Sequence, residues 1–154
     1  MTDKVSGALR KNLFSKESPV HIPEGKECFF PSHKNIIDAF RSAKTALFVN
    51  IFSHKKLSAE GARRYTGRLL KKSRALLTTE IQNTLCLFGS DNKFCARTKD
   101  CAEKTADKFI AALPEIQKIL LSDIKAAYDG DPAAQDPYEI LLCYPGLRAM
   151  CYQR

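Results

Sequence analysis

Asp131 stands where a side chain is freest to do chemistry. It lies in Asp129-Gly130-Asp131-Pro132, directly after a helical pattern that runs to Tyr128. Gly130 tolerates the left-handed position that closes many helices, because no Cβ clashes there. Pro132 pushes the preceding residue out of the α region into extended backbone. The spacing therefore predicts Asp131 just past a helix end, with its carboxylate clear of helical packing. Taken locally, such a carboxylate can cap the next turn through an Asx-type bond. Elsewhere the reactive residue types form no known machinery. There is no Gly-rich phosphate loop, no His-Glu-x-x-His and no nucleophile elbow. His21, His33 and His54 follow no zinc-ligand spacing, and none of the six cysteines forms Cys-x-x-Cys. This points away from a self-contained hydrolase or metalloenzyme.

The elements that must position Asp131 read as helices. Residues 1–32 have no sustained periodicity and read as an irregular N-terminal extension. Within it Val5 to Phe14 suggests a short basic helix, and Ser15 to Pro31 a wrapping loop rich in proline. Ser32 is a plausible N-cap. Ile36, Phe40, Ala43, Leu47 and Ile51 then recur at helical spacing, predicting a helix to about Phe52. Ser58 marks another start, and Tyr65, Leu69, Leu76, Ile81, Leu85 and Phe88 line one face of a long helix ending near Gly89. Thr98 is a candidate cap for the next, through Cys101, Thr105, Phe109 and Ala112. Pro114 either kinks that helix or opens a new one. Ile116, Ile119, Leu120, Ile124 and Ala127 continue the apolar face to Tyr128. A short helix restarts near Pro137, and Pro145-Gly146 breaks it before Leu147. No stretch alternates with period two. The fold class is all-α, with about five to seven helices, and residues 33–154 form the helical domain.

The last third of the chain carries a resemblance. Asp123-Ile124, Ala126-Ala127-Tyr128, Gly130-Asp131-Pro132-Ala133-Ala134, Tyr144-Pro145-Gly146 and the closing Arg154 resemble serine O-acetyltransferase at the end of its N-terminal helical domain. The family usually closes this stretch with Tyr-Arg; here Gln153 separates Tyr152 from Arg154. The resemblance implies transfer of an acetyl group from acetyl-CoA to L-serine, giving O-acetylserine for cysteine synthesis. In the family a His acts as general base, oriented by an Asp. Both belong to a following β-helix of hexapeptide repeats, so residues 1–154 alone are expected to be inactive and to bind no cofactor. The Asp of the Asp-Pro-Ala motif, here Asp131, is implied to serve the serine pocket. A carboxylate suits an ammonium group there, because a charge-assisted bond holds and orients it. The resemblance also implies self-association, since in the family this domain pairs trimers into hexamers.

Composition agrees with a globular domain. The 154 residues are 44% hydrophobic and 27% charged, enough to bury a core without disulfides or metal. No apolar run reaches membrane-spanning length and no signal-peptide core is evident, so a cytoplasmic protein with reduced thiols is expected. The net charge of +8 is uneven: residues 1–75 hold 16 Lys and Arg against 6 Asp and Glu, and residues 76–154 hold 9 against 11. Arg63, Arg64, Arg68, Lys71, Lys72 and Arg74 fall on one face of the second long helix. A solvated face or an acidic patch on a partner subunit accounts for them. A basic helical module for nucleic acid or a protein partner is the competing reading. No interleaved aromatics for stacking bases are evident, so nucleic acid is not favoured.

Overall fold

Ser32 caps the first helix of the core, as its type suggests. Its hydroxyl accepts the Asn35 N–H at 3.3 Å and opens a helix over His33–Leu47. The computed structural model describes residues 2–15, 17, 30–88 and 94–153. Within them the elements run α1 Thr2–Phe14, α2 His33–Leu47, α3 Val49–Phe52, α4 Ala59–Phe88, α5 Phe94–Gly130, α6 Pro137–Cys143 and α7 Pro145–Gln153. The fold is all-α, with seven helices and no strand among the described residues. Helix α1 is the short basic helix that Val5 to Phe14 suggested. Cys28 and Phe29 lie outside the described residues. None of the described helices is long and apolar enough to cross a membrane.

Helices α2, α4 and α5 pack together through small residues. Ala39, Ser42 and Ala43 on α2, Ser73 on α4, and Ala102 and Ala106 on α5 are all buried. Ala39, Leu77 and Ala106 form one cluster across the three helices. Small side chains at a crossing let helix axes approach, so larger neighbours interlock around the contact. The larger cluster joins Ala43, Leu47 and Phe48 to Leu113, Leu120 and Ile124 of α5, and to Ile140, Leu141 and Leu147 of α6 and α7. Each fully buried aliphatic side chain there contributes roughly 1.5–3 kcal/mol relative to exposure.

Two polar ties lock this packing. Glu80, 3% exposed on α4, accepts the Ser32 N–H at 2.7 Å and the Asn35 side-chain amide at 2.6 Å. It thereby fixes where the chain enters α2. On the open side, Arg74 reaches Asp107 of α5 with two bonds, at 2.5 and 2.9 Å.

Three sequence expectations need correction and one is narrowed. The helix read as continuous to Phe52 breaks at Phe48, whose φ of −134° and ψ of 60° leave the helical region. The Gln117 side-chain amide donates to the Leu47 carbonyl exposed by that break. Thr98 caps nothing: α5 begins at Phe94, and Thr98 is buried inside it with its hydroxyl 3.6 Å from the Cys86 sulfur. Of the two readings of Pro114, a new helix start falls away, because α5 runs through it to Gly130. Gly130 does close α5, but without a left-handed φ. Pro132 and the turn after it stop the helix instead.

Candidate functional site

The segment after α5 folds back on itself in two steps. Asp131 leaves the helix, and a tight turn follows in which its carbonyl accepts the Ala134 N–H at 3.1 Å. The Asp131 carboxylate supports the same turn, with Oδ1 accepting the Ala133 N–H at 2.9 Å. This is the Asx-type bond that the local sequence allows. Asp136 then caps α6 by accepting the Tyr138 N–H at 2.7 Å and the Glu139 N–H at 3.0 Å. Pro137 fills the first helical position, where its missing N–H costs nothing. Glu139 reaches back past the cap to accept the Gln135 N–H at 3.0 Å, one residue before the donor that a capping box would use. Ile140 and Leu141 bury the inner face of α6, at 0% and 2% exposure. Helix α6 then ends at Tyr144, whose N–H still bonds Ile140 at 3.3 Å, and Pro145 opens α7.

This path returns Tyr144 to Asp131. The Tyr144 hydroxyl donates to Asp131 Oδ2, across thirteen residues of sequence. Each carboxylate oxygen therefore has one donor, and both donors are neutral. The Asp131 carboxyl is held below the usual carboxylate range, first by the Tyr144 hydroxyl and then by the Ala133 N–H. The same bond pushes the Tyr144 phenol up to about 12, because ionising it would set two anions face to face.

Neighbouring charges are otherwise engaged. Lys125 pairs with Asp129 at 2.6 Å, and no Lys or Arg among the described residues pairs with Asp131. Among the described residues, Asp131 thus keeps its negative charge unpaired, at a partly exposed position. It is suited to a cationic group of a ligand. Sequence reasoning singled out Asp131 and missed Tyr144, Asp136 and Glu139. The Asp136-Pro137 pair followed by Glu139 is a legible cap signal. Tyr144 carries one only as part of the Tyr144-Pro145-Gly146 stretch that bears the resemblance, which gave it no role.

The other reactive residues do not converge on this site. His33 and His54 are exposed at the start of α2 and after α3, and His21 lies outside the described residues. No group of three or more His, Cys, Asp or Glu among the described residues could hold a metal ion. Cys101 and Cys143 are exposed, whereas Cys86 and Cys151 are half-buried. Arg63, Arg64, Arg68, Lys71 and Lys72 do form an exposed face of α4, but Arg74 turns to Asp107. One aromatic belongs to that face after all: Lys55 and Arg68 stand over the Tyr65 ring, 4.4 and 5.4 Å from its centre.

Comparison with known proteins covers the same segment. Residues 96–151 match the family model for the serine acetyltransferase N-terminal region. That span holds most of α5, all of α6 and most of α7, including Asp131 and Tyr144. Over that span the chain resembles the N-terminal region of serine acetyltransferases. It is also 34% identical over 140 residues to a plasmid-encoded serine acetyltransferase of Synechococcus elongatus. The alignment takes in 88% of this chain and 44% of that relative, so the chain spans less than half of the relative's length. The matched span includes the turn and the short helix that bring Tyr144 to Asp131.

Proposed function

We propose that this chain is the assembly and serine-pocket part of a serine O-acetyltransferase, which moves an acetyl group from acetyl-CoA to the hydroxyl of L-serine. The family relationship supports the reaction class. One observation carries the site: Asp131 lies within the matched span, partly exposed, ionised, and held by two neutral donors rather than by a cation. Its charge is free to meet the substrate ammonium, and the bond would orient the serine hydroxyl toward the transfer chemistry.

In this reading the general base and the acetyl-CoA site lie outside residues 1–154, and these residues alone transfer no acetyl. The exposed Ile37, Phe40, Leu121, Tyr138 and Leu142 support the assembly role, since apolar side chains of that size favour burial against a neighbouring copy. The test uses protein expressed from the complete gene and follows CoA release with and without L-serine. Asp131→Asn should raise the serine KM by roughly tenfold to a hundredfold, the cost of a charge-assisted bond to a substrate. The acetyl-CoA KM should stay within about twofold, because that cosubstrate does not reach this carboxylate. A folded parent protein without serine-dependent release would sink the reading. The basic face of α4 would then become the feature to explain, with salt-dependent binding of an anionic partner as its measure.

A further inference from the structure

We propose that Tyr144 is the positioning residue of Asp131: its phenol fixes the carboxylate in the orientation that receives the substrate ammonium. The inference rests on the serine-site reading of Asp131 and adds to it a second residue, the one that sets the carboxylate's aim.

The geometry carries the argument. A carboxylate on a short side chain turns about its last torsion unless both oxygens are held. The Asx bond to Ala133 holds Oδ1 only, and it comes from the same turn, so it moves whenever the turn moves. The Tyr144 hydroxyl holds Oδ2 from a different element. That element is anchored independently. Asp136 caps α6, Ile140 and Leu141 are buried beneath it, and the Tyr144 ring packs on the same core cluster as Leu120, Ile124 and Leu147. The phenol therefore carries the position of the core to a carboxylate that would otherwise follow a loop.

The chemistry fits an ammonium ligand. An ionised carboxylate offers about four acceptor positions, and two are filled here. The remaining two accept from an ammonium group without breaking either internal bond. A hydroxyl donor leaves the carboxylate's charge in place, whereas a Lys or Arg at Tyr144 would neutralise it. The same bond keeps the carboxyl ionised to lower pH than an ordinary Asp, which serves the same end.

Tyr144→Phe removes the hydroxyl and keeps the ring on the core, so the protein should stay folded and its melting temperature should drop only by the share of this one bond. In protein from the complete gene, this variant should raise the serine KM about tenfold while kcat and the acetyl-CoA KM stay within about twofold. Combined with Asp131→Asn, it should add nothing further, because it acts through that carboxylate. Equilibrium titration of L-serine across acid pH supplies a readout independent of turnover. Affinity should be lost at a higher pH in Tyr144→Phe than in the parent, since the carboxyl there protonates earlier. A serine KM that rises in Asp131→Asn but not in Tyr144→Phe would overturn this inference and leave the serine site standing. Additive effects in the double variant would also overturn it. A serine KM indifferent to Asp131→Asn would remove the serine-site reading, and the role of Tyr144 with it.

Discussion

A phenol bonded to a carboxylate works only while the phenol keeps its proton and the carboxylate has lost its own. That fixes a pH window for the Asp131–Tyr144 tie. Asp131 has a lowered pKa, so its contribution to stability is complete above the ordinary Asp value of about 3.9 and fades as pH falls through the lowered one. Tyr144 has a raised pKa, so its contribution is complete below the ordinary phenol value of about 10 and is lost as pH climbs through about 12. In an ultraviolet titration of tyrosinate, one of the five tyrosines should ionise near 12. In Asp131→Asn its midpoint should fall toward about 10. If all five tyrosines ionise together in both proteins, the tie does not exist in solution. Asp131 was legible because Pro132 dictates the backbone before it. Tyr144 was not, because its partner lies thirteen residues away and only the length and seating of α6 bring the two together.

At the scale of elements, α5 runs against local backbone preference at Pro114. The proline has no N–H for the Ile110 carbonyl and crowds that turn, a cost of about 3 kcal/mol in a helix interior. Tertiary contacts on both sides carry the helix through it. Leu113 and Leu120 are buried in the main cluster, and Gln117 is bound to the end of α2. Pro114→Ala should therefore raise stability by roughly 1–3 kcal/mol, seen as a higher urea midpoint with an unchanged slope. An unchanged midpoint would mean that the Ile110 carbonyl is satisfied in some other way. The break at Phe48 is the opposite case. Its sequence favours a continued helix, yet the chain leaves helical geometry so that Phe48 and Leu47 both reach the core. Two of the caps were legible, since Ser32 and Ser58 bond the N–H groups three residues on, whereas the Thr98 cap failed and the Asp136 cap was missed. Local side-chain bonds of that kind depend on a few residues only.

At the scale of the whole molecule, the outside is as informative as the core. Ile36, Ile37, Phe40 and Arg41 line a shallow hollow on α2, with Ile37 42% exposed. Self-association of the 154-residue chain should therefore appear as a light-scattering mass above the 17.3 kDa of one copy. Ile37→Glu, which adds charge without touching the core, should lower that mass toward one copy. A strictly monomeric parent over a wide concentration range contradicts the idea. The sequence by itself determined the all-α class, the start of α2, the restart of α6, the break before α7 and the release of Asp131 from α5. Each follows from periodicity or from the backbone limits of one or two residues. Only the tertiary structure decided that α5 passes through Pro114, that Phe48 interrupts α2 and α3, that Arg74 leaves the basic face for Asp107, and that Tyr144 holds Asp131. Those outcomes depend on contacts between residues far apart in the chain, where burial and long-range hydrogen bonds outweigh local preference.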